Sequence, residues 1–288
     1  MAAIHVYYPK ENEEQISVLK ALHAGIPGSE YLPLESYTKE NAPDVAVICG
    51  MYKQSVPYSA HRGRVFEVQR YLGKNTLVVS KGFIERDRYY SVGWNGLNNK
   101  ADFLNTGMGR DRLPGVRLAP WRTGGEYFLI AGQIPWDANL QDVNFFEWVA
   151  VTALRLQRMS GTQIVFRPHP EMQGDLSELY EEMVKSNIRI SDASMKEDLA
   201  GAKAVISYNS NLAVDAVLAG VPTITRDIGS MAWPVSGHHF EYLMDPELLH
   251  LPREEWLNDL SYAQWTLEEM ASGATWEHLN RYALKEAA

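Results

Sequence analysis

The chain has 288 residues, 45% hydrophobic and 22% charged, with a formal net charge of −9. That length suits two domains of ordinary size, the composition suits a folded globular protein, and the acidic balance counts against a broad basic surface of the kind that wraps duplex DNA. The single cysteine, Cys49, lies in an apolar run, which leaves no disulfide within the chain and no cysteine-based metal site. No stretch is apolar for long enough to cross a bilayer and no basic-then-apolar signal segment opens the chain, so the expectation is a cytoplasmic enzyme with no membrane partner.

Residues 4–9 read as a first strand ended by Pro9, and residues 12–24 as a polar helix. Residues 44–50 are an apolar run closed by Gly50, the pattern of a strand buried on both faces of a parallel sheet. A helix over 61–73 and a second buried strand over 76–82 follow. The stretch 83–123 is irregular and rich in Gly, Asn, Asp and Arg; a loop of that length inside a compact domain goes with function. From residue 127 the alternation is cleaner: strand 127–132, helix 141–159, strand 163–166, helix 176–186, strand 188–190, helix 194–200 capped by Ser194, strand 204–207, helix 211–219 closed by Gly220, and strand 221–225. The remainder, from residue 254, is helical and carries Trp256, Trp265 and Trp276. Strands alternating with helices make parallel sheets covered on both faces. The expected architecture is α/β, two Rossmann-like domains with parallel sheets and a cleft between them. Their expected spans are 1–123 and 124–253, with helices over 254–288 packing back across both.

Open α/β sheets bind ligands at the carboxyl ends of their strands. In the second domain that edge collects Gln133 after the first strand, Arg167 and His169 after the second, Ser207, Asn209, Ser210 and Asn211 after the fourth, and Arg226 and Asp227 after the fifth. Cations, amides and hydroxyls gathered there suit a diphosphate. The segment Ser207-Tyr208-Asn209-Ser210-Asn211 leads into a helix, whose first N–H groups favour an anion, although Ser210 or Asn209 can cap the same helix with no ligand at all. Asp215 lies one turn further on the face of Asn211 and suits ribose hydroxyls, or simply solvent. In Arg167-Pro168-His169-Pro170 two prolines stiffen a turn that presents a guanidinium and an imidazole. No glycine-rich dinucleotide fingerprint and no Walker sequence is present, which weakens NAD and ATP readings.

The run from Val165 to Pro170, the run from Ala204 to Thr223, and the C-terminal pattern of Gln264 to Met270, Gly273 and Trp276-Glu277-His278-Leu279 resemble the capsule-polysaccharide Kdo transferases and related GT-B glycosyltransferases. The first half is similar to a narrower set of bacteriophage-encoded glycosyltransferases, through Arg62-Gly63-Arg64, Tyr89-Tyr90, Gly93 to Leu97, Ala101-Asp102-Phe103, Gly107-Met108, Asp111-Arg112, Pro120-Trp121-Arg122 and Gly132 to Asp137. The resemblance implies a GT-B fold and a nucleotide-sugar co-substrate, with a UDP-sugar favoured, no covalently bound cofactor and no obligatory metal. It further implies an acceptor hydroxyl on a 5-hydroxymethylpyrimidine such as hydroxymethylcytosine in phage DNA, an enzyme of DNA modification working in the host cytoplasm. A polysaccharide or other glycan is the alternative acceptor. A nucleotide-sugar epimerase and a non-catalytic nucleotide-binding module stay open, as do monomer and dimer.

Glycosyl transfer with inversion needs stabilisation of the leaving diphosphate and a base for the acceptor hydroxyl. Arg167, His169 and the Ser207-to-Asn211 segment serve the first need, with Gln133 and Asp215 completing the donor set and His169 doubling as an acid. For the base, Asp102 comes first, because Phe103 beside it would desolvate it, then Asp87, with Glu85 behind them. Arg62, Arg64, Trp94 and Asn95 are the expected acceptor contacts: the arginines for phosphates, the indole for stacking on a base or sugar. Each has a plain counterpart, a turn aspartate, a solvated arginine, a core tryptophan. The arginines at 62, 64, 86, 88, 110, 112, 117 and 122 together read as a polyanion path or as a solvated face.

Overall fold

A computed structural model of the chain describes residues 2–51, 59–103, 112–113, 115–140, 143–172 and 176–285. Its elements, in order, are β1 (Ile4–Tyr8), α1 (Glu13–Gly25), β2 (Glu30–Pro33), β3 (Val45–Cys49), α2 (Ser59–Tyr71), β4 (Asn75–Lys81), β5 (Tyr90–Trp94), β6 (Tyr127–Ala131), α3 (Phe145–Ser160), β7 (Gln163–Arg167), α4 (Ser177–Lys185), β8 (Ile188–Ile190), α5 (Met195–Gly201), β9 (Ala202–Ser207), α6 (Leu212–Leu218), β10 (Thr223–Thr225), α7 (Glu254–Tyr262), β11 (Gln264–Trp265), α8 (Leu267–Ala271) and α9 (Ala274–Lys285). The chain divides into two compact units, one of Met1–Pro114 with Leu257–Ala288, the other Gly115–Trp256. The division falls upstream of the expected boundary at 123, and the C-terminal segment from Leu257 belongs to the first unit. Gly107, Met108, Arg110 and Asp111, which carry part of the sequence resemblance and of the arginine tract, lie outside the described residues.

The first unit is a six-stranded sheet in the order β11-β5-β4-β3-β1-β2. Strands β1 to β4 are parallel, but β5 runs antiparallel to β4, and β11 antiparallel to β5. The sheet is therefore mixed, which corrects the expectation of two wholly parallel sheets. Every residue of β3, Val-Ala-Val-Ile-Cys, is buried, because apolar side chains cover both faces. Val45, Val47 and Cys49 join α1 residues Val18, Leu19 and Leu22 and the C-terminal residues Trp265, Met270 and Leu279 on one face. Ala46 and Ile48 join Val65 of α2 and Tyr37 on the other. Asn12 starts α1 from a left-handed backbone, φ 88°, its side chain accepting from the Gln15 N–H at 3.1 Å.

The second unit is a five-stranded sheet in the order β10-β9-β6-β7-β8, with every pairing parallel. Phe128, Ile130, Ile164, Phe166 and Ile206 pack with α3 and α4 on one face. Leu129, Val165 and Val205 pack with Leu199 of α5 and Ala216 of α6 on the other. Asn144 caps α3, Gly161 closes it at φ 64°, and Ser194 with Glu197 forms a capping box at the start of α5. No helix among the described residues is long and apolar enough to cross a membrane.

Arg112 ties the C-terminal segment into the first unit. Its guanidinium meets Glu269 through Nε at 3.1 Å and Nη2 at 2.5 Å, donates to the carbonyls of Ser261 and of Gln264 (2.6 Å), and lies 3.8 Å from the Trp265 ring centre. Glu269 itself belongs to the capping box of α8 with Thr266. Replacing Arg112 by Ala strips one partner from a mostly buried pair and leaves carbonyls unmet, which should cost about 3 kcal/mol in denaturant unfolding. A loss below about 1 kcal/mol would mean that the segment is held by its apolar contacts alone.

Candidate functional site

The strand order places β6 between β9 and β7, with chain connections leaving to opposite faces, so the second sheet has its topological switch point at the β9/β6 boundary. Gln133 follows β6 and Asn209 follows β9, and the two side chains meet at that boundary. Gln133 Nε2 donates to Asn209 Oδ1 at 2.6 Å, and the Asn209 backbone N–H donates to Gln133 Oε1 at 3.0 Å. Asn209 Nδ2 donates in turn to the Asn139 carbonyl at 2.9 Å and to Asp227 Oδ1 at 3.0 Å, and Asp227 Oδ1 also accepts from Gly229 N at 2.8 Å. Both amides are buried. The two residues expected to touch the donor clasp the loops after β6, β9 and β10 to one another.

The Ser207-to-Asn211 segment is also more closed than its sequence implies. Ser207 is fully buried, and its Oγ accepts from the Ser210 N–H at 2.8 Å. Ser210 Oγ accepts from the Leu212 N–H at 3.3 Å. Asn209 N is taken by Gln133, so three of the N–H groups that a free helix start would offer to an anion are satisfied internally. Asn211 stands at the cap position of α6 in helical backbone, φ −61° and ψ −20°, with no side-chain cap. Half-buried Asp215 follows one turn later on its face.

Arg167 ends β7, and its side chain is 17% exposed. Its Nη1 donates to the Ala193 carbonyl and to Asp198 Oδ2, both at 2.6 Å. Gly132 closes the gap to the neighbouring strand: its N–H donates to the Arg167 carbonyl at 2.8 Å, and a Cβ there would collide with that carbonyl. His169 Nδ1 accepts from the Glu171 N–H at 3.1 Å, which puts the proton of the neutral ring on Nε2 and makes that nitrogen the donor.

One row links these parts. Leu129, Val165 and Val205 face α5 and α6, so by strand alternation Ala131, Arg167 and Ser207 face the same way at the carboxyl edge. Ala131 pairs with Arg167, and β6 pairs with β9 up to Ile130 and Ile206, one residue short of Ala131 and Ser207. The backbones of Arg167 and Ser207 therefore stand two strand spacings apart, about 10 Å, with Ala131 on the strand between them.

In the first unit the strand directions sort the predicted residues. Asp102 pairs through its backbone with Trp94, at the carboxyl end of antiparallel β5. That is the opposite edge from the carboxyl ends of β1, β3 and β4. Trp94 is fully buried in the core and donates its indole N–H to the Leu279 carbonyl at 3.3 Å, so its ring is not offered to a base or a sugar. Asn95 holds a left-handed turn, φ 56°, accepting from Thr76 N and donating to Asn75 Oδ1. Asp102 is exposed, where burial against Phe103 was expected. Arg62, by contrast, starts α2 at the carboxyl edge but is buried, donating to the Cys49 carbonyl at 2.7 Å and to Gln15 Oε1 at 3.3 Å. Arg64 is exposed at the same helix start, and Asp87 and Glu85 are exposed in the turn after β4.

That edge also holds a group which the sequence reading missed. Glu14, in the first turn of α1, receives Lys81 from the end of β4 and the Tyr90 hydroxyl at 3.0 Å, both on Oε1. The hydrogen bond from Lys81, chiefly, holds its carboxyl below the usual range. The sequence offers Glu11, Glu13 and Glu14 together and no signal separates them.

No protein-family model matches the chain. No curated protein matches it. Among solved structures it is similar to the beta Kdo 2,7 transferase of KpsC from Thermosulfurimonas dismutans, at 13% identity over 98% of this chain and 100% of that one, with a TM-score of 0.52. The beta Kdo 2,4 transferase of the same organism's KpsC aligns at 12% identity over 92% of each chain, with a TM-score of 0.54. The UDP-GlcNAc 2-epimerase of Methanocaldococcus jannaschii, in complex with UDP-GlcNAc and UDP, superposes at a TM-score of 0.40 and 12% identity over 99% of this chain and 100% of that one. The chain has the two-domain GT-B fold of the two Kdo transferases.

Removing the clasp at the switch point leaves the buried Gln133 Nε2 without its acceptor on Asn209. Asn209→Ala should lower unfolding stability by about 2 kcal/mol at an unchanged denaturant m-value. An unaltered midpoint would show that water replaces the side chain.

Proposed function

We propose that the chain is a nucleotide-sugar-dependent glycosyltransferase. It binds its donor along the carboxyl edge of β9, β6 and β7 and passes the sugar to a hydroxyl of a polysaccharide or other glycan. The observation that carries this reading is Arg167, a partly exposed guanidinium at the carboxyl edge of β7, in one row with Ala131 and Ser207 beside the switch point of the sheet. Arg167 supplies charge to the leaving phosphates, with the His169 Nε2 proton beside it, and Asp215 accepts from the ribose. A UDP-sugar is the favoured donor. The shared fold with two sugar transferases supports transfer over epimerisation.

In an inverting transfer the acceptor O–H gives its proton to a carboxylate. Its oxygen bonds the anomeric carbon, and the bond from that carbon to the phosphate oxygen breaks with its electron pair leaving on the diphosphate. Topology favours Glu14 and Asp87 over Asp102 as that carboxylate, because the first two lie at the carboxyl edge of the parallel strands.

Hydroxymethylated DNA, the acceptor implied by the phage resemblance, is the weaker reading, because four arginines of the tract are engaged within the protein. Arg62 serves a buried carbonyl, Arg112 serves Glu269, Arg88 pairs with Glu85, and Arg122 donates to the carbonyls of Leu199 (2.7 Å) and Ala200. Labelled nucleotide sugars offered with bacterial polysaccharide fractions and, in parallel, with hydroxymethylcytosine-containing DNA decide the acceptor: label is expected in glycan, and label in DNA alone would reverse the choice. Arg167→Ala should weaken nucleotide-diphosphate affinity about tenfold or more, read by calorimetric titration; unchanged affinity removes Arg167 from the donor site.

If Glu14 is the base, its carboxylate stays ionised to lower pH than an unassisted glutamate. Lys81→Met removes the main cause of that depression, so the acid limb of the kcat/KM profile should move to higher pH. An acid limb that does not move with Lys81→Met, together with full activity in Glu14→Gln, leaves Asp87 as the candidate.

A further inference from the structure

The least exposed charged side chain beside the donor edge belongs to a residue with no sequence signature. Asp198 sits on α5 and is 1% exposed. Ser191 Oγ lies 2.6 Å from its Oδ1 and 2.8 Å from its Oδ2, and Arg167 Nη1 lies 2.6 Å from Oδ2. Ser191 is itself pinned: its N–H donates to the Phe166 carbonyl at 2.8 Å, and its Oγ accepts from Ala193 N at 3.2 Å. The Asp198 backbone is fixed as well, its carbonyl accepting the Tyr127 hydroxyl at 3.0 Å. Asp198 is thus held from β6, from the end of β8 and from its own helix, and it has one rigid direction in which to hold Arg167.

Arg167 is held by one tine only. Both Nη1 protons are used, on Asp198 and on the Ala193 carbonyl, whereas Nε and Nη2 make no hydrogen bond among the described residues. The pair is asymmetric: the carboxylate is sealed in, while the guanidinium stands at the outlet of the sheet with 17% of its side chain exposed.

We infer that Asp198 is a positioning residue for the donor site, fixing the Nη1 side of Arg167 so that its Nε and Nη2 edge is presented to the phosphates of the nucleotide. This rests on the donor reading above. Asp198 touches no substrate. It selects one rotamer of a side chain that in isolation samples many, and it does so before the ligand arrives.

The test compares nucleotides with nucleosides, since Arg167 meets phosphates alone. The full chain is titrated with the mono- and diphosphates of uridine, cytidine, adenosine and guanosine and with the parent nucleosides. The wild type should bind its best nucleotide far more tightly than the matching nucleoside. Asp198→Asn keeps the volume and removes the charge. It should lower nucleotide affinity about tenfold, leave nucleoside affinity unchanged, and lower Tm. Leu156→Ala, in the opposite face of the sheet, should lower Tm without moving the ratio of the two affinities. If Asp198→Asn does not fold, Ser191→Ala frees the carboxylate and should shift the ratio in the same direction. A ratio kept at the wild-type value in the folded variant, while Arg167→Ala abolishes it, overturns the positioning role and leaves the donor reading standing. Equal wild-type affinities for nucleotide and nucleoside, or no nucleotide binding, overturn the donor reading and this inference with it.

Discussion

The pairing of β6 with β9 on one side and β7 on the other is the constraint on which the candidate donor edge depends. Both pairings are parallel, so three carboxyl ends stop side by side, and the helices that follow leave to opposite faces of the sheet. A crevice opens where the departures diverge, and its sides must be backbone or small side chains if anything is to enter. Ala131 and Gly132 meet that condition. The first places only a methyl group on the central strand between Arg167 and Ser207, and the second lets the Arg167 carbonyl approach without a side chain in the way. The Gln133 and Asn209 amides then fix the separation of the diverging loops, a task for which two complementary amides are suited because each supplies both a donor and an acceptor.

The second unit was legible in the sequence because its strands are buried on both faces. Tyr127–Ala131 is a continuous apolar run and Ala204-Val205-Ile206 a shorter one, both bounded by polar or turn residues, and a run of that kind has few alternatives. The first unit was legible only in part. β2 is Glu-Tyr-Leu-Pro at the sheet edge, half exposed and ending in proline, and it carries no alternation to read. β5 contains Ser91 and Gly93 and sits inside a stretch that composition marks as loop. Gly93 is there because Phe103 and Ala101 pack where its side chain would be, which is a tertiary reason invisible to local pattern. The antiparallel direction of β5 has a direct consequence: Trp94, Asn95 and Asp102, which the loop-like composition places toward an acceptor, lie at the other edge of the sheet.

The arginines show a second limit. Spacing along the chain groups them, but in the fold Arg62, Arg88, Arg112 and Arg122 are committed to separate partners. Arg122 donates to the carbonyls of Leu199 and Ala200 at the end of α5, and Arg253 donates to the Val217 carbonyl (2.5 Å) at the end of α6 and to Ala119 O at 2.7 Å. Terminal carbonyls lack partners within their own helix and lie at the negative end of its dipole, so a guanidinium is a natural cap for them. A run of arginines in an irregular segment is therefore as consistent with stapling that segment to helix ends as with binding a polyanion. Only the side-chain partners distinguish the two, and for Arg112, Arg122 and Arg253 they point to stapling.

The pairing of Arg167 with Asp198 sets two effects against each other. A carboxylate beside the guanidinium offsets part of the charge that the phosphates would meet, which weakens the attraction. The same carboxylate removes the need to order a long side chain on binding, which otherwise costs about 0.5–1.5 kcal/mol. It also removes the need to keep a partly buried guanidinium without a counter-charge when the site is empty. The balance turns on geometry. Asp198 engages Nη1 from inside the protein, so the two charges that would compete, carboxylate and phosphate, lie on different edges of the same planar group. A guanidinium can satisfy both because its five donors point outward in a fixed fork, whereas a lysine ammonium held by the same aspartate offers a point charge and no planar, two-donor edge. That difference gives a physical reason for arginine at position 167, where a carboxylate must be served from behind and an anion from in front.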